Sequence, residues 1–191
     1  MRKKIYFRMA GAAVAVATMI APPAQAAFHL WNIREIYTDA SGSLQFIELF
    51  CPASGQTFLN GQQISVTSGG QTHTFTLTSN TSSDSLNHAL LFGTAGTHTA
   101  GAPTPDFIIP NNFLFSGGGT ISFFGANPGT YTALPTDGTL SRNWGDGNGV
   151  NSPQNFAGQT GTIAAVPEPA TFALLGIGSL GLFCAFRRSR S

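Results

Sequence analysis

The sequence predicts an all-β fold, an antiparallel sandwich of short strands carried between two apolar terminal segments. Three observations lead there. Short runs rich in β-branched and aromatic residues alternate with Gly, Ser, Asn and Asp clusters from Phe28 onward. No window in that region repeats apolar residues at the 3, 4 and 7 spacing of a helix. Charged residues are only 9% of the 191-residue chain, against about 25% in ordinary soluble domains.

The chain opens with Arg2, Lys3, Lys4 and Arg8 ahead of an apolar run, Met9 to Ile20, followed by Pro22, Pro23 and the triplet Ala24-Gln25-Ala26. Basic, apolar and small-residue regions in that order are a secretory signal peptide over residues 1–26, with Ala24 and Ala26 as the cleavage-site residues. An amphipathic core helix fits poorly, because the run has no polar face.

The predicted domain is 27–165, long enough to bury roughly two thirds of its unfolded surface without disulfides. Its first strands are 28–37 and 44–50, separated by Thr38 to Ser43, a turn composition. Strands at 63–67 and 72–78 flank Ser68-Gly69-Gly70-Gln71 and form a hairpin, in which His73, Phe75 and Leu77 alternate with threonines as in a half-buried strand. Further strands are read at 88–93, 106–110 and 120–125. About seven strands at close spacing with polar turns argue for the sandwich.

Net charge restricts the partners. Of the nine basic residues, four lie in the signal and three at the C-terminus, leaving Arg34 and Arg142 within 27–165. Two arginines against seven acids leave that segment at −5. Without a basic patch it lacks the footprint of a nucleic-acid binder.

Residues 166–191 read "VPEPATFALLGIGSLGLFCAFRRSRS". The uncharged run 170–186 would span about 25 Å as a helix, close to the ~30 Å hydrocarbon core, which makes it one C-terminal transmembrane helix. Arg187, Arg188 and Arg190, in the basic tail 187–191, act as the membrane stop and orient the preceding domain away from the cytoplasm. An anchor alone leaves Pro167-Glu168-Pro169 unexplained, since two prolines around one acid make an extended stretch that joins neither a strand nor a helix. Pro-Glu-Pro, an apolar span and an arginine cluster together resemble the PEP-CTERM sorting signal of exported bacterial proteins. That resemblance implies Pro167, Glu168 and Pro169 as the recognition stretch for an exosortase. It further implies a membrane-anchored stage before processing, then a place at the cell surface or in the extracellular matrix, with exopolysaccharide or biofilm as partner.

A second resemblance concerns the domain. "IREIY", "QFIELF", "FLNGQQI" and "NSPQNFAG" are similar to the lamin-tail-type immunoglobulin-like domain at Ile33, Glu35, Ile36, Phe46, Ile47, Glu48, Leu49, Leu59, Gly61, Pro153 and Asn155. Gln62 departs from it, where an aromatic is usual. The resemblance implies an immunoglobulin-like sandwich used for display or binding and says little about ligand.

Candidate chemistry is sparse. No H-E-x-x-H spacing and no G-x-S-x-G elbow occurs. Glu35 and Glu48 invite comparison with paired glycosidase carboxylates, but capping of backbone groups or pairing with Arg34 or Arg142 is the better reading. Asp146, Asn148 and Asn151 carry oxygens at a spacing compatible with Ca²⁺, yet a Gly/Asn turn accounts for them more simply, and no metal or cofactor is assigned. Cys51 is read as a buried, inert thiol rather than a cross-link between chains. Among Trp31, Tyr37, Tyr131 and Trp144, the loop residue Trp144 is the aromatic best placed to contact a glycan. The expected function is that of a non-enzymatic exported surface or matrix protein. A carbohydrate-binding module is the alternative, and a secreted hydrolase comes third.

The exported form is expected to begin at Ala27 and to lack the residues after about Pro169. Intact-mass spectrometry of that form checks this, and recovery from it of peptides between Phe172 and Arg190 would overturn it.

Overall fold

A computed structural model describes residues 28–123 and 126–164. The expected signal peptide and transmembrane helix therefore lie outside the described residues.

Among the described residues ten strands form two sheets: β1 (Asn32–Thr38), β2 (Gln45–Cys51), β3 (Gln63–Ser68), β4 (Gln71–Thr76), β5 (His88–Gly93), β6 (Phe107–Ile108), β7 (Gly119–Phe123), β8 (Ala126–Tyr131), β9 (Leu140–Asn143) and β10 (Gly147–Val150). The six-stranded sheet runs β10-β9-β1-β2-β5-β6 and the four-stranded sheet β4-β3-β7-β8. Every pairing is antiparallel except β5 with β6, so the expected all-antiparallel arrangement needs that one amendment. The chain leaves β5 through residues 94–106 and returns alongside it in the same direction.

The main core lies between the sheets. Ile36, Ile47, Leu49, Leu90 and Phe92 of the larger sheet join one cluster with Ile64, Val66, Ile121 and Phe123 of the smaller. Phe92 is fully buried; it stacks on Phe107 at 5.3 Å between ring centroids and meets Phe75 and Phe123 edge-on at 6.3 Å each.

The two outer faces differ. The smaller sheet turns Thr72, Thr74, Thr76 and Thr67 to solvent, the alternation of a one-sided sheet. The larger sheet is covered on both faces, which explains why β2 and β5 are almost continuously buried. On its outer face Tyr37, Phe46 and Leu91 pack with Ala102 and Ile163, brought there by the β5–β6 connection and the C-terminal segment.

The β3–β4 hairpin matches its sequence signal: Gly69 and Gly70 have φ of 55° and 80°, as a two-residue turn with both central residues left-handed requires. Strands β8, β9 and β10 carry no such signal. "ANPGTY" contains Pro128 and Gly129 and reads as a turn, but β8 is a sheet edge, where proline is tolerated. "LSRN" and "GNGV" become strands because β9 pairs with β1 and β10 with β9.

Phe92→Ala removes the ring that joins both sheets and is expected to cost about 3–5 kcal/mol of stability. Urea denaturation measures this, and a loss below about 1 kcal/mol would contradict the packing described.

Candidate functional site

The residues that sequence reading singles out most strongly, Glu35 and Glu48, face each other directly across β1 and β2. A β-bulge between Ile33 and Glu35 makes this possible. Alternation alone would put Ile33 and Ile36 on opposite faces, yet both pack on the inter-sheet core. The extra residue at Arg34 restores the register, keeps both isoleucines inward and sends Glu35 outward beside Glu48.

Both carboxylates are buried, at 1% and 0% exposure, beneath the C-terminal segment 151–164. Glu35 Oε1 accepts from Ser141 Oγ at 2.6 Å and from the Ser152 amide at 2.9 Å, and its Oε2 accepts from Ser152 Oγ at 3.2 Å. Glu48 Oε2 accepts from the Gln154 amide at 3.0 Å. Its Oε1 lies 3.2 Å from Arg34 Nε, an ion-pair contact without hydrogen-bond geometry. Asp106 continues the series, its Oδ2 accepting from the Phe156 amide at 2.9 Å and from the Leu91 amide of β5 at 2.8 Å.

The amides of residues 152, 154 and 156 thus meet three carboxylates in succession, from β1, from β2 and from the loop entering β6. The segment is a strap laid across the sheet, its alternate N–H groups satisfied by acids because no strand lies beside it there to supply carbonyls. Asn151 locks the strap further: its Nδ2 donates to Thr139 O and Ile163 O, and its Oδ1 accepts from the Ile163 amide at 2.6 Å.

Burial pushes the Glu48 carboxyl up to about 7, and adjacent Glu35 adds to the rise, while Arg34 and the Gln154 amide oppose it. Neither glutamate reaches solvent, so this pair holds structure and cannot meet a glycoside. Capping of backbone groups with pairing to Arg34 is what the structure contains, and Arg142 takes no part.

The calcium oxygens are not brought together. The Asn151 side-chain oxygen is consumed inside the strap, while Asp146 is exposed in the β9–β10 turn. Among the described residues no three His, Cys, Asp or Glu gather as metal ligands. Cys51 is fully buried and its thiol donates to Ala53 O. His73 and His88 each place Nδ1 within 2.9 Å of a backbone carbonyl and stack on Phe115 and Phe156.

Of the four candidate aromatics, three are core residues whose polar atoms donate to backbone: Trp31 Nε1 to Gln56 O, Tyr37 Oη to Gly138 O and Tyr131 Oη to Phe115 O. Trp144 differs. Half-buried, it lines an open groove of about 280 Å³ with Pro128, Gly129, Thr130, Arg142 and Gly145. Sequence reading offered Arg142 as a partner of the glutamates, where the structure instead places it on the groove, and it missed Asp106, which sits in no recognisable pattern.

In the sequence, the two-sheet β domain and its strap lead directly into a proline-flanked acid and an apolar run. Residues 165–188 match the PEP-CTERM protein-sorting motif, which covers Pro167, Glu168, Pro169, Arg187 and Arg188. Proteins bearing this motif are exported and processed by an exosortase after a transient membrane-anchored stage. No curated protein and no solved structure matches the chain.

Glu48 also sets a pH dependence. Between about pH 4.5 and 7 the folded chain retains a proton on Glu48 that the unfolded chain has released, so this group lowers stability as pH rises through that window. Glu48→Gln is expected to flatten the fall in Tm across it. An unchanged slope in thermal melts of the variant would show that Glu48 is ionised throughout.

Proposed function

We propose that the chain is a non-enzymatic protein of the cell surface or extracellular matrix, delivered by exosortase processing and associated with exopolysaccharide. The carrying observation is the PEP-CTERM motif at 165–188, which begins where the strap ends at Ala164. In this reading the β domain is the cargo and the tail the address, with Ala24 and Ala26 marking signal cleavage and Arg187, Arg188 and Arg190 holding the uncleaved precursor in the membrane.

Burial of both glutamates supports a structural role for the acids that a hydrolase reading would use. The lamin-tail-type reading draws support from the facing of Glu35 and Glu48, since the two segments carrying the resemblance pair with each other. A carbohydrate-binding role is favoured by one observation, the half-exposed Trp144 in its groove.

Glu168→Gln separates address from anchor. Apolar length and the arginines survive the change, so a plain anchor tolerates it, whereas a protease reading the acid between two prolines does not. The expected result is an uncleaved, membrane-bound precursor, scored by immunoblot of membrane and medium fractions. Processing at the normal rate would reject the sorting role of Glu168.

A further inference from the structure

We propose that the Arg142–Trp144 groove binds a carboxylate-bearing sugar, a uronic acid unit within an acidic polysaccharide; this rests on the polysaccharide association above. The groove lies at the open seam of the sandwich, where β9 of one sheet approaches β8 of the other. Arg142 pairs in register with Ile36, a core residue, so its side chain leaves β9 on the face turned toward the other sheet.

A partly exposed arginine there can take an anion, and the described residues supply none: the Arg142 side chain makes no hydrogen bond or ion pair among them. The domain's other arginine, Arg34, contacts Glu48, Gln154 and the Phe50 ring. The acids are otherwise engaged. Glu35, Glu48 and Asp106 hold the strap, Asp39 and Asp137 accept from backbone amides in their own turns, and Asp84 accepts from the amides of Gly55 and Ser85. Asp146, in the turn of the same hairpin, is exposed and forms no ion pair with Arg142. An unpaired guanidinium in a segment of net charge −5 is a local exception, available to an incoming carboxylate in two-pronged geometry.

Trp144 supplies the second half of the chemistry. Its indole packs over Gly129 so closely that a Cβ there would fall 2.2 Å from the ring, which holds the indole in place at the groove wall. A held aromatic offers an apolar face to the C–H face of a sugar ring. The exposed Thr130 hydroxyl-bearing side chain lies on the opposite strand. Phosphate would use the arginine and leave the indole idle; a neutral sugar would do the reverse. A uronic acid uses both, and about 280 Å³ admits a single ring rather than a long chain.

The test uses the full chain in detergent micelles and calorimetric titration with oligogalacturonate, dextran and polyglutamate. Oligogalacturonate is expected to bind, with Arg142→Gln weakening it about tenfold or more, as loss of a charge-assisted contact implies. Trp144→Ala should weaken it comparably, and Trp144→Phe, which keeps a ring, should restore most of the binding if the alanine variant is misfolded. Equal affinity in Arg142→Gln and the parent chain would overturn the site, as would polyglutamate binding as tightly as oligogalacturonate. Dextran binding without oligogalacturonate binding would overturn the uronate site and leave the polysaccharide association standing; binding to none of the sugars would remove both.

Discussion

Two carboxylates directly opposite each other on neighbouring strands, both out of water, are costly unless donors surround them. In this domain the donors are the amides of the strap, the hydroxyls of Ser141 and Ser152, and Arg34. Much else follows from that exchange. The acids cannot be buried without the strap, and the strap has no other partner for its alternate N–H groups. Each side of the exchange supplies what the other lacks, so the outer face of the larger sheet closes only when residues 151–164 are laid across it.

The β-bulge at Arg34 is the local device that permits this arrangement. By inserting one residue it reconciles two demands on β1, inward isoleucines at 33 and 36 and an outward acid at 35. The same insertion brings Arg34 to Glu48, which tempers the repulsion between the paired acids. Because Ile163 ends the strap's packing only a few residues before Pro167, the sorting motif follows the domain with almost no intervening linker. The mechanical closure of the fold and the address for processing are therefore adjacent in the chain.

The two sheets also divide labour by their outer faces. A threonine-bearing face meets solvent on the smaller sheet, while the covered face of the larger one takes the acids and the strap. The groove lies between these regimes, at the seam where β8 and β9 leave the core incompletely closed. Trp144 partly fills that seam and Arg142 stands beside it, a placement that neither sheet alone creates.

Local patterning was enough to specify the all-β class, the β3–β4 hairpin with Gly69 and Gly70 at its turn, the buried state of Cys51 and the tail motif, because each depends on residue type and near-neighbour spacing. Glu35 and Glu48 stood out in the sequence as a pair, but their role depended on residues more than 100 positions away in Ser152 and Gln154. Strands β8, β9 and β10 were hidden for a related reason: their Gly, Asn and Pro content favours turns, and only pairing of β8 with β7, of β9 with β1 and of β10 with β9 makes them extended. Asn151 looked like a possible metal ligand until the strap's fold turned its oxygen onto the Ile163 amide. Side-chain periodicity records which face of a strand is buried, and it carries no record of what arrives from a distant part of the chain to cover that face. For that reason the sorting motif was legible in the tail, while the use of the acids and the seam groove was decided only when the two sheets and the strap came together.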